Sequence, residues 1–216
     1  MNRRAFGELQ VLLEDERLIA VAKPAGQAVA PGGGVNAADT LQAAVAGHIG
    51  SQAFLVHRLD RETSGVIVFA KTAEAHRELS RQFEERLVTK RYLAVVQGHV
   101  EGRSGEIGAP LREFGSGRVG VDPKGRQAVT RWALRERLAD ADLLEVQPIT
   151  GRRHQIRVHC YSIGHPILGD TRYGNPRPVG GAPRLMLHAA ELVLADGVSV
   201  AAPPPADFDA VLEASR

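Results

Sequence analysis

The sequence lacks several features that would set it apart from ordinary globular proteins. Its single cysteine, Cys160, excludes an internal disulfide and any metal site built from several cysteines. Its longest apolar runs, 19–22 and 65–70, are far shorter than the roughly 20 residues that span a bilayer. Residues 1–9 contain two arginines with no apolar stretch behind them, so we expect no secretory signal. These absences favour a cytoplasmic protein that has no membrane partner.

Lysine is also scarce. Of the 27 basic residues only four are lysines, namely Lys23, Lys71, Lys90 and Lys124. A GC-rich genome would produce the same bias, so the distribution of charge says more than its composition. The formal net charge is only +2, yet 146–169 and 86–100 each contain three basic residues and no acid. A locally basic face of this kind suits a protein that binds nucleic acid.

The pattern of strands and helices predicts an α+β fold. With 216 residues, 44% hydrophobic and 24% charged, we expect a single domain with its core at about 9–212. Apolar segments joined by short turns predict a largely antiparallel mixed sheet flanked by helices. The predicted strands are 9–13, 18–22, 55–58, 65–71, 91–97, 128–134, 143–148, 185–194 and 198–201. The last two flank Asp196-Gly197, a two-residue signal for a hairpin.

Four helices are predicted from capping residues and apolar spacing. The first covers 37–48, with Asn36 as its N-cap and Gly50 as its end. The second runs from the cap Thr72 to about residue 87, with Ala75, Leu79 and Phe83 forming one apolar stripe, and the last lies near 208–212. A helix over 152–163, opened by Thr150 or Gly151, has an apolar face formed by Ile156, Cys160 and Ile163. Arg153 and Arg157, four residues apart, share a neighbouring face of this helix.

The most unusual segment is 57–65, a polar cluster between two apolar strands. Its carboxylate, Asp60, is flanked by Arg58 and Arg61 and followed by a Thr-Ser-Gly turn. Nearby cations and hydrogen-bond donors favour the ionised carboxylate, which then serves as nucleophile, base or metal ligand. An aspartate in a salt-bridged loop would show the same pattern. A metal is disfavoured because the neighbours are cations and no second carboxylate lies at ligand spacing.

Two further segments indicate a function only when they are considered together with 57–65. Residues 150–159 read TGRRHQIRVH, which predicts either a solvated basic helix or a helix N-terminus facing a polyanion. His154 and His159 are five residues apart, which disfavours a two-histidine zinc helix. Residues 90–98 read KRYLAVVQG, which predicts a strand. Considered without the other motifs, Tyr92 would be interpreted as a core residue of this strand.

Together these segments resemble the RluA-type pseudouridine synthases. That family carries the signatures HRLDxxTSG, a K-x-Y strand ending in glycine, and TGRxHQIRxH followed by GHPIxGD. The chain has matching residues in the same order at 57–65, 90–98, 150–159 and 164–170, and the resemblance extends from about Leu12 to Phe208. It includes KPAG at 23–26, LHA at 187–189 and PADF at 205–208.

The resemblance implies that the chain is a single catalytic domain with a central active-site cleft and no separate RNA-binding domain. It also implies a cofactor-free and metal-free reaction that isomerises uridine within RNA. The C1′–N1 bond breaks, the uracil turns, and C1′ bonds to C5. Asp60 would be the central residue, acting either at C6 of the ring or at the sugar, and these alternatives stay open. Tyr92 would pack on the uracil and assist proton removal from C5. Arg157 would pair with Asp60, and Arg58 would fill the space of the flipped base.

A stacked uridine must be flipped out before it can react, so single-stranded loops are the expected targets. Flanking phosphates would be held by a basic set: Lys90, Arg91, Arg152, Arg153 and His154. The resemblance favours a stand-alone monomer without the S4-type RNA-binding domain of many relatives and without an obligate protein partner. Such members act on tRNA, on large-subunit (23S-type) rRNA, or on both. Stretches 27–34 and 112–126 are candidate specificity loops, or simply connections.

Two other functions fit parts of the sequence. The first is a non-catalytic RNA-binding or ribosome-assembly factor on the same fold, which the presence of Asp60, Tyr92 and Arg157 argues against. The second is a hydrolase that uses Asp60 with His57 or His154, of which a glycosylase releasing free uracil is the nearest version. A hydrolase needs a second acid or base at the site, and no paired carboxylate has motif-level support.

Overall fold

A computed structural model describes residues 8–115, 117–174 and 181–216. Most of the segment 1–9, in which we expect no secretory signal, lies outside these residues. In the described part the chain forms twelve β-strands and four α-helices. The strands are β1 (Val11–Glu14), β2 (Leu18–Lys23), β3 (Phe54–Leu55), β4 (Ser64–Ala70), β5 (Thr89–Gln97), β6 (Ser104–Ile107), β7 (Leu111–Glu113), β8 (Val119–Val121), β9 (Thr130–Arg137), β10 (Ala141–Pro148), β11 (Leu187–Val193) and β12 (Ser199–Ala201). The helices are α1 (Leu41–Ile49), α2 (Ala73–Glu84), α3 (Gln155–Ser162) and α4 (Ala206–Ala214).

The chain divides into two compact units. Of the described residues, unit 1 comprises those in 8–89 and 189–203, and unit 2 comprises those in 90–188 and 204–216. In unit 1 the strand order is β1-β2-β4-β11, with β3 beside β4 and β12 beside β11. Its core packs α2 against this sheet through residues such as Val68, Leu79 and Leu192. None of the described helices is long and apolar enough to cross a membrane.

Unit 2 has its own sheet and its own core. The strand order is β5-β10-β9-β6, and all three pairings are antiparallel. Residues from β5, β10, α3 and α4, including Val95, Leu144, Ile156 and Phe208, form the buried core. Strands β7 and β8 pair as a separate antiparallel hairpin. The predicted α+β class with a largely antiparallel sheet is therefore confirmed.

Most predicted elements lie within a few residues of their predicted bounds, but some predictions were wrong. Thr40, not Asn36, caps α1, because its side chain accepts a hydrogen bond from Ala43 N at 3.2 Å. The strand predicted at 55–58 is only β3, and α2 ends at Glu84. Stretch 112–126, predicted as a loop, contains β8 and most of β7. Strand β6 was not predicted at all.

Helix α3 begins three residues later than predicted. His154 has a left-handed backbone with φ 53°, so the helix cannot extend back to Arg152. The side chain of Gln155 accepts hydrogen bonds from the Thr150 hydroxyl at 2.6 Å and from Arg152 N at 3.0 Å. These bonds hold 150–154 as a turn. Ile163, predicted on the apolar face, lies beyond the helix and is 37% exposed.

Gly65 shows how closely the strands of unit 1 approach each other. Its φ is +117°, and a Cβ at this position would lie 2.1 Å from the carbonyl oxygen of Ala189. Gly65→Ala is expected to lower the free energy of unfolding by about 3 kcal/mol, from backbone strain and the clash together.

Gly197→Ala is the matched control for that prediction, because Gly197 also has a positive φ, +87°, but no atom within 4 Å of its Cβ position. It is expected to cost only about 1 kcal/mol. Urea unfolding of both variants measures the difference. Equal losses would mean that strain, and not the contact with Ala189, explains the glycine at position 65.

Candidate active site

The turn that carries Asp60 is anchored by hydrogen bonds of its backbone. The carbonyl of Asp60 accepts a bond from Thr63 N at 3.2 Å, and the carboxylate-bearing side chain is half-buried. Thr63 and Ser64 are buried, at 2% exposure each. Gly26 N donates to the carbonyl of Arg61 at 2.8 Å, so the KPAG segment and the turn are held together. Asp60 is thus presented by a fixed turn and not by a loose loop.

A buried lysine, which the sequence reasoning did not single out, organises this turn. Lys23 is 1% exposed, and its Nζ donates to the carbonyls of Pro24, Gln27 and Arg61 at 2.8–2.9 Å. Three carbonyl oxygens replace the water that the ammonium group loses on burial. Two signals in the sequence pointed to it: its place at the end of an apolar strand, and its membership of the KPAG segment that carries part of the family resemblance.

His57 has a structural role in unit 1. Val68 N donates a hydrogen bond to His57 Nε2 at 3.0 Å, and the imidazole stacks on Phe83 with 4.5 Å between ring centroids. The lone pair of Nε2 is therefore occupied by a backbone amide. This contact argues against the hydrolase in which His57 Nε2 acts as the base beside Asp60. Arg58, in contrast, is exposed.

In unit 2, Tyr92 lies on strand β5. Strand β5 pairs with β10 so that Tyr92 lies opposite Val146, which is fully buried. The preceding Lys90 and Arg91 are half-buried, as is Tyr92 itself. The strand therefore holds the tyrosine rigidly, while part of its side chain remains accessible.

The segment 150–159 is fixed by a network of buried polar side chains. Gln155 Nε2 donates to Val129 O at 2.9 Å and to Thr130 Oγ1 at 3.0 Å. His159 is fully buried, with Nδ1 2.8 Å from Thr130 Oγ1 and Nε2 3.0 Å from Ala109 O. Burial lowers the pKa of His159 below its ordinary value, so its neutral form is favoured. His159 is therefore part of the scaffold.

Arg157 lies on α3 and is 4% exposed. Its Nε and Nη2 donate to the two carboxylate oxygens of Asp170, each at 2.8 Å. Burial opposes ionisation of Asp170, but the hydrogen bonds and charge of Arg157 outweigh it and lower the pKa of Asp170. Asp170 is a residue that the sequence reasoning missed, although the GHPILGD segment contains it.

The remaining basic residues of the segment have different surroundings. Arg153, predicted to share a face of the helix with Arg157, instead precedes the helix, is exposed and forms an ion pair with Glu113. Arg152 is half-buried, and its Nε donates to Gln127 O at 3.2 Å. His154 Nδ1 lies 2.6 Å from the hydroxyl oxygen of Tyr173.

The predicted catalytic residues are distributed over both units. Asp60 belongs to unit 1, whereas Tyr92 and Arg157 belong to unit 2. The pairing of Arg157 with Asp60 stays a prediction. In the described ranges, no group of three or more histidine, cysteine, aspartate or glutamate side chains is arranged to hold a metal ion.

Comparison with known proteins identifies the family. Residues 17–162 match the model of a family described as RNA pseudouridylate synthase. The chain belongs to this family. The match covers both the turn that carries Asp60 and the segment that carries Arg157. This match and the relatives described next confirm the prediction that the chain belongs to the RluA-type pseudouridine synthases.

Individual members of this synthase family are similar over most of the chain. The dual-specificity RNA pseudouridine synthase RluA of Escherichia coli is 42% identical over 211 residues, covering 93% of this chain and 94% of the relative. The ribosomal large subunit pseudouridine synthase C of Vibrio cholerae is 40% identical over 193 residues, and the match spans only 60% of that relative's length. The solved structure of human RNA Pseudouridylate Synthase Domain Containing 1 has a TM-score of 0.80 at 28% identity, covering 98% of this chain and 90% of that one.

Proposed function

We propose that this protein isomerises specific uridines of RNA to pseudouridine, with Asp60 as the catalytic carboxylate. The observation that carries the proposal is the ordered set of motifs at 57–65, 90–98 and 150–159 within the matched family region. Membership in the family supports RNA as the substrate. The anchored turn supports the assignment of Asp60, because a reacting carboxylate must be held in a defined position.

The proposed reaction moves one glycosidic bond and one proton. The C1′–N1 bond of uridine breaks, the base turns, and a C1′–C5 bond forms. The hydrogen on C5 is then lost to water, and N1 gains a proton, so atoms and charge balance without any oxidant, reductant or phosphate donor. Asp60 acts either by addition to C6 or at the sugar. In this proposal the reaction uses neither a cofactor nor a metal.

The roles of Tyr92 and Arg157 follow from their chemistry. Tyr92 offers a flat ring on a rigid strand, against which the flipped uracil packs, and a hydroxyl that assists proton removal from C5. Arg157 is a permanently charged group inside the protein, and it pairs with the catalytic carboxylate. Arg58, which is exposed, fills the space that the flipped base leaves in the RNA.

The β7–β8 hairpin supplies a second surface for RNA, adjoining the basic residues of 150–154. Phe114 is 42% exposed at the end of β7, and the guanidinium carbon of Arg112 lies 5.7 Å from the centroid of its ring. Arg153 pairs with Glu113 on the same hairpin. An exposed aromatic ring beside arginines suits the stacking of an unpaired base.

The substrates proposed are tRNA, large-subunit rRNA, or both. The relatives named above include a dual-specificity synthase and a large-subunit synthase. We further propose that the protein acts in the cytoplasm as a monomer, without an obligate protein partner. Flanking phosphates would contact Lys90, Arg91, Arg152, Arg153 and His154, so RNA affinity should fall steeply with rising salt.

The test uses RNA labelled with tritium at C5 of uracil. Total tRNA and large-subunit rRNA are prepared from a strain that lacks this gene and are incubated with purified protein and no added cofactor. Release of tritium to water from one pool supports the proposal and identifies the substrate class. Release of free uracil would instead indicate a glycosylase. No release from either pool would contradict the proposal for these substrates and favour a non-catalytic RNA-binding factor.

Phe114→Leu is expected to weaken RNA binding about 5- to 100-fold, because leucine keeps the apolar bulk but has no face for stacking. Phe114→Trp should retain the affinity. Val121→Ala serves as control, since Val121 is 46% exposed on the same hairpin but carries no ring. Filter binding with the reactive RNA pool measures all three. Equal affinity of the leucine variant and the wild type would mean that Phe114 does not stack on RNA.

A further inference from the structure

A buried carboxylate holds the guanidinium group of Arg157 by two of its three nitrogens. Arg157 Nε contacts Asp170 Oδ2 and Arg157 Nη2 contacts Asp170 Oδ1, both at 2.8 Å. The two residues are 4% and 3% exposed. This is the parallel two-point geometry that fixes the plane of a guanidinium group, which one contact or a lysine would not do.

Asp170 is itself fixed by the chain that follows it. Its Oδ1 accepts hydrogen bonds from Arg172 N and Tyr173 N, each at 3.0 Å, and its carbonyl accepts one from Gly174 N at 2.9 Å. Three backbone amides therefore orient residue 170. The carboxylate cannot rotate away from Arg157 without breaking two of these bonds.

Tyr173 closes the arrangement from the other side. The guanidinium carbon of Arg157 lies 5.2 Å from the centroid of the Tyr173 ring, and the Tyr173 hydroxyl accepts a hydrogen bond from Val119 N at 3.1 Å. Tyr173 is 2% exposed and belongs to a small apolar cluster with Leu111, Val119 and Val158. The ring is thereby locked in place, and it limits the movement of the guanidinium plane.

We infer that Asp170 is a positioning residue, which sets the orientation in which Arg157 acts during catalysis. This inference rests on the proposed function. Asp170 takes up the Nε–Nη2 edge of the guanidinium, so Nη1 is held in one direction relative to α3. An arginine with four free torsions would have to be ordered in every catalytic cycle. Because the guanidinium group of Arg157 is already oriented in the folded protein, the activation free energy of the chemical step is lower, whereas the affinity for RNA is unchanged.

The decisive variant is Asp170→Asn, which keeps the shape and one oxygen for the two amides but loses the charge and the two-point acceptor. Single-turnover tritium release is expected to slow at least ~100-fold, while the Kd for RNA changes less than about threefold. Thermal unfolding of the same protein reports the structural cost separately.

Asp142→Asn is the matched control. Asp142 is also a fully buried aspartate of unit 2, and it accepts hydrogen bonds from Arg137 Nε at 3.2 Å and Val100 N at 2.8 Å. It lies in none of the motifs. The control is expected to lower the melting temperature by a similar amount and to change the rate less than about threefold. If both variants lose rate in proportion to their melting temperatures, the positioning role is refuted.

Arg157→Lys provides a second test, which remains available if Asp170→Asn does not fold. Lysine keeps the positive charge beside Asp170 but makes only a single-point contact, so Arg157→Lys alone should slow the rate at least ~30-fold at unchanged Kd. Where both fold, adding Asp170→Asn should slow it little further. Wild-type rate in Arg157→Lys, or multiplicative losses in the double variant, would refute the inference. Absence of release by the wild-type protein would refute the proposed function instead, and the inference with it.

Discussion

Asp60→Asn is expected to reduce tritium release by at least about 10⁴-fold while the protein remains folded and binds RNA. The large effect follows from the role of the residue, because an amide is neither a nucleophile nor a base at neutral pH. Folding should be preserved, since the anchor of the turn is the Asp60 carbonyl, which accepts from Thr63 N at 3.2 Å and is not altered. The measurement is single-turnover release from the reactive RNA pool, with circular dichroism and filter binding on the same preparation.

Glu62→Gln is the control for Asp60→Asn. It removes a carboxylate two residues away in the same segment, on an exposed side chain, and is expected to leave the rate within a few-fold of wild type. Appreciable turnover by Asp60→Asn would contradict the assignment of Asp60 as the catalytic carboxylate. If the Asp60→Asn variant restored the wild-type phenotype to a strain that lacks the gene, the RNA-binding factor would be favoured. Such a factor needs the fold and not the carboxylate.

Arg157→Met is expected to lower the free energy of unfolding by about 3–5 kcal/mol, because it leaves the buried Asp170 carboxylate without its partner. For a chain of this length that corresponds to a fall in melting temperature of roughly 6–20 °C. Calorimetry or circular dichroism measures it. Adding Asp170→Asn to Arg157→Met should recover part of the loss, because asparagine removes the stranded charge and still accepts from Tyr173 N.

The loss caused by Arg157→Met should also depend on pH. In the wild type the pKa of Asp170 is lowered, so its ionised form stabilises the fold above the unfolded pKa of about 4 and this stabilisation is lost as the pH falls below that value. In Arg157→Met the burial of Asp170 is opposed only by the backbone amides of Arg172 and Tyr173, so its pKa is expected to rise above the wild-type value. The difference between the two proteins should therefore be largest near about pH 7 and shrink towards about pH 4. A difference independent of pH would mean that lost packing, and not the stranded carboxylate, causes it.

Local signals in the sequence predicted several secondary-structure elements and the family of this protein. The cap Thr72 and the spacing of Ala75 and Leu79 predicted the residue at which α2 begins. Capping and the buried stripe depend only on residues three or four positions apart. The pair Asp196-Gly197 predicted the β11–β12 hairpin, since a two-residue turn needs a residue with positive φ, here +87° at Gly197. The ordered motifs likewise identified the family and the candidate catalytic residues.

Other features were decided only by contacts between residues far apart in the sequence. Nothing local predicts that Lys23 donates to the carbonyl of Arg61, or that Gly65 lies against Ala189. The β7–β8 hairpin has short strands rich in charge and glycine, and it is held by packing of Leu111 and Val119 on Tyr173.

The surroundings of Arg157 show most clearly which features the local sequence predicts and which depend on tertiary contacts. The motif made this residue a candidate, but the helix that carries it begins at Gln155 because side-chain bonds hold 150–154 as a turn. Asp170 is 13 residues away and becomes its partner only when the chain folds back. The sequence alone determined the family, the α+β class and the types of chemical group available. The tertiary structure decided which buried charges meet, because the free energy of burying a charge depends on partners that local patterns do not encode.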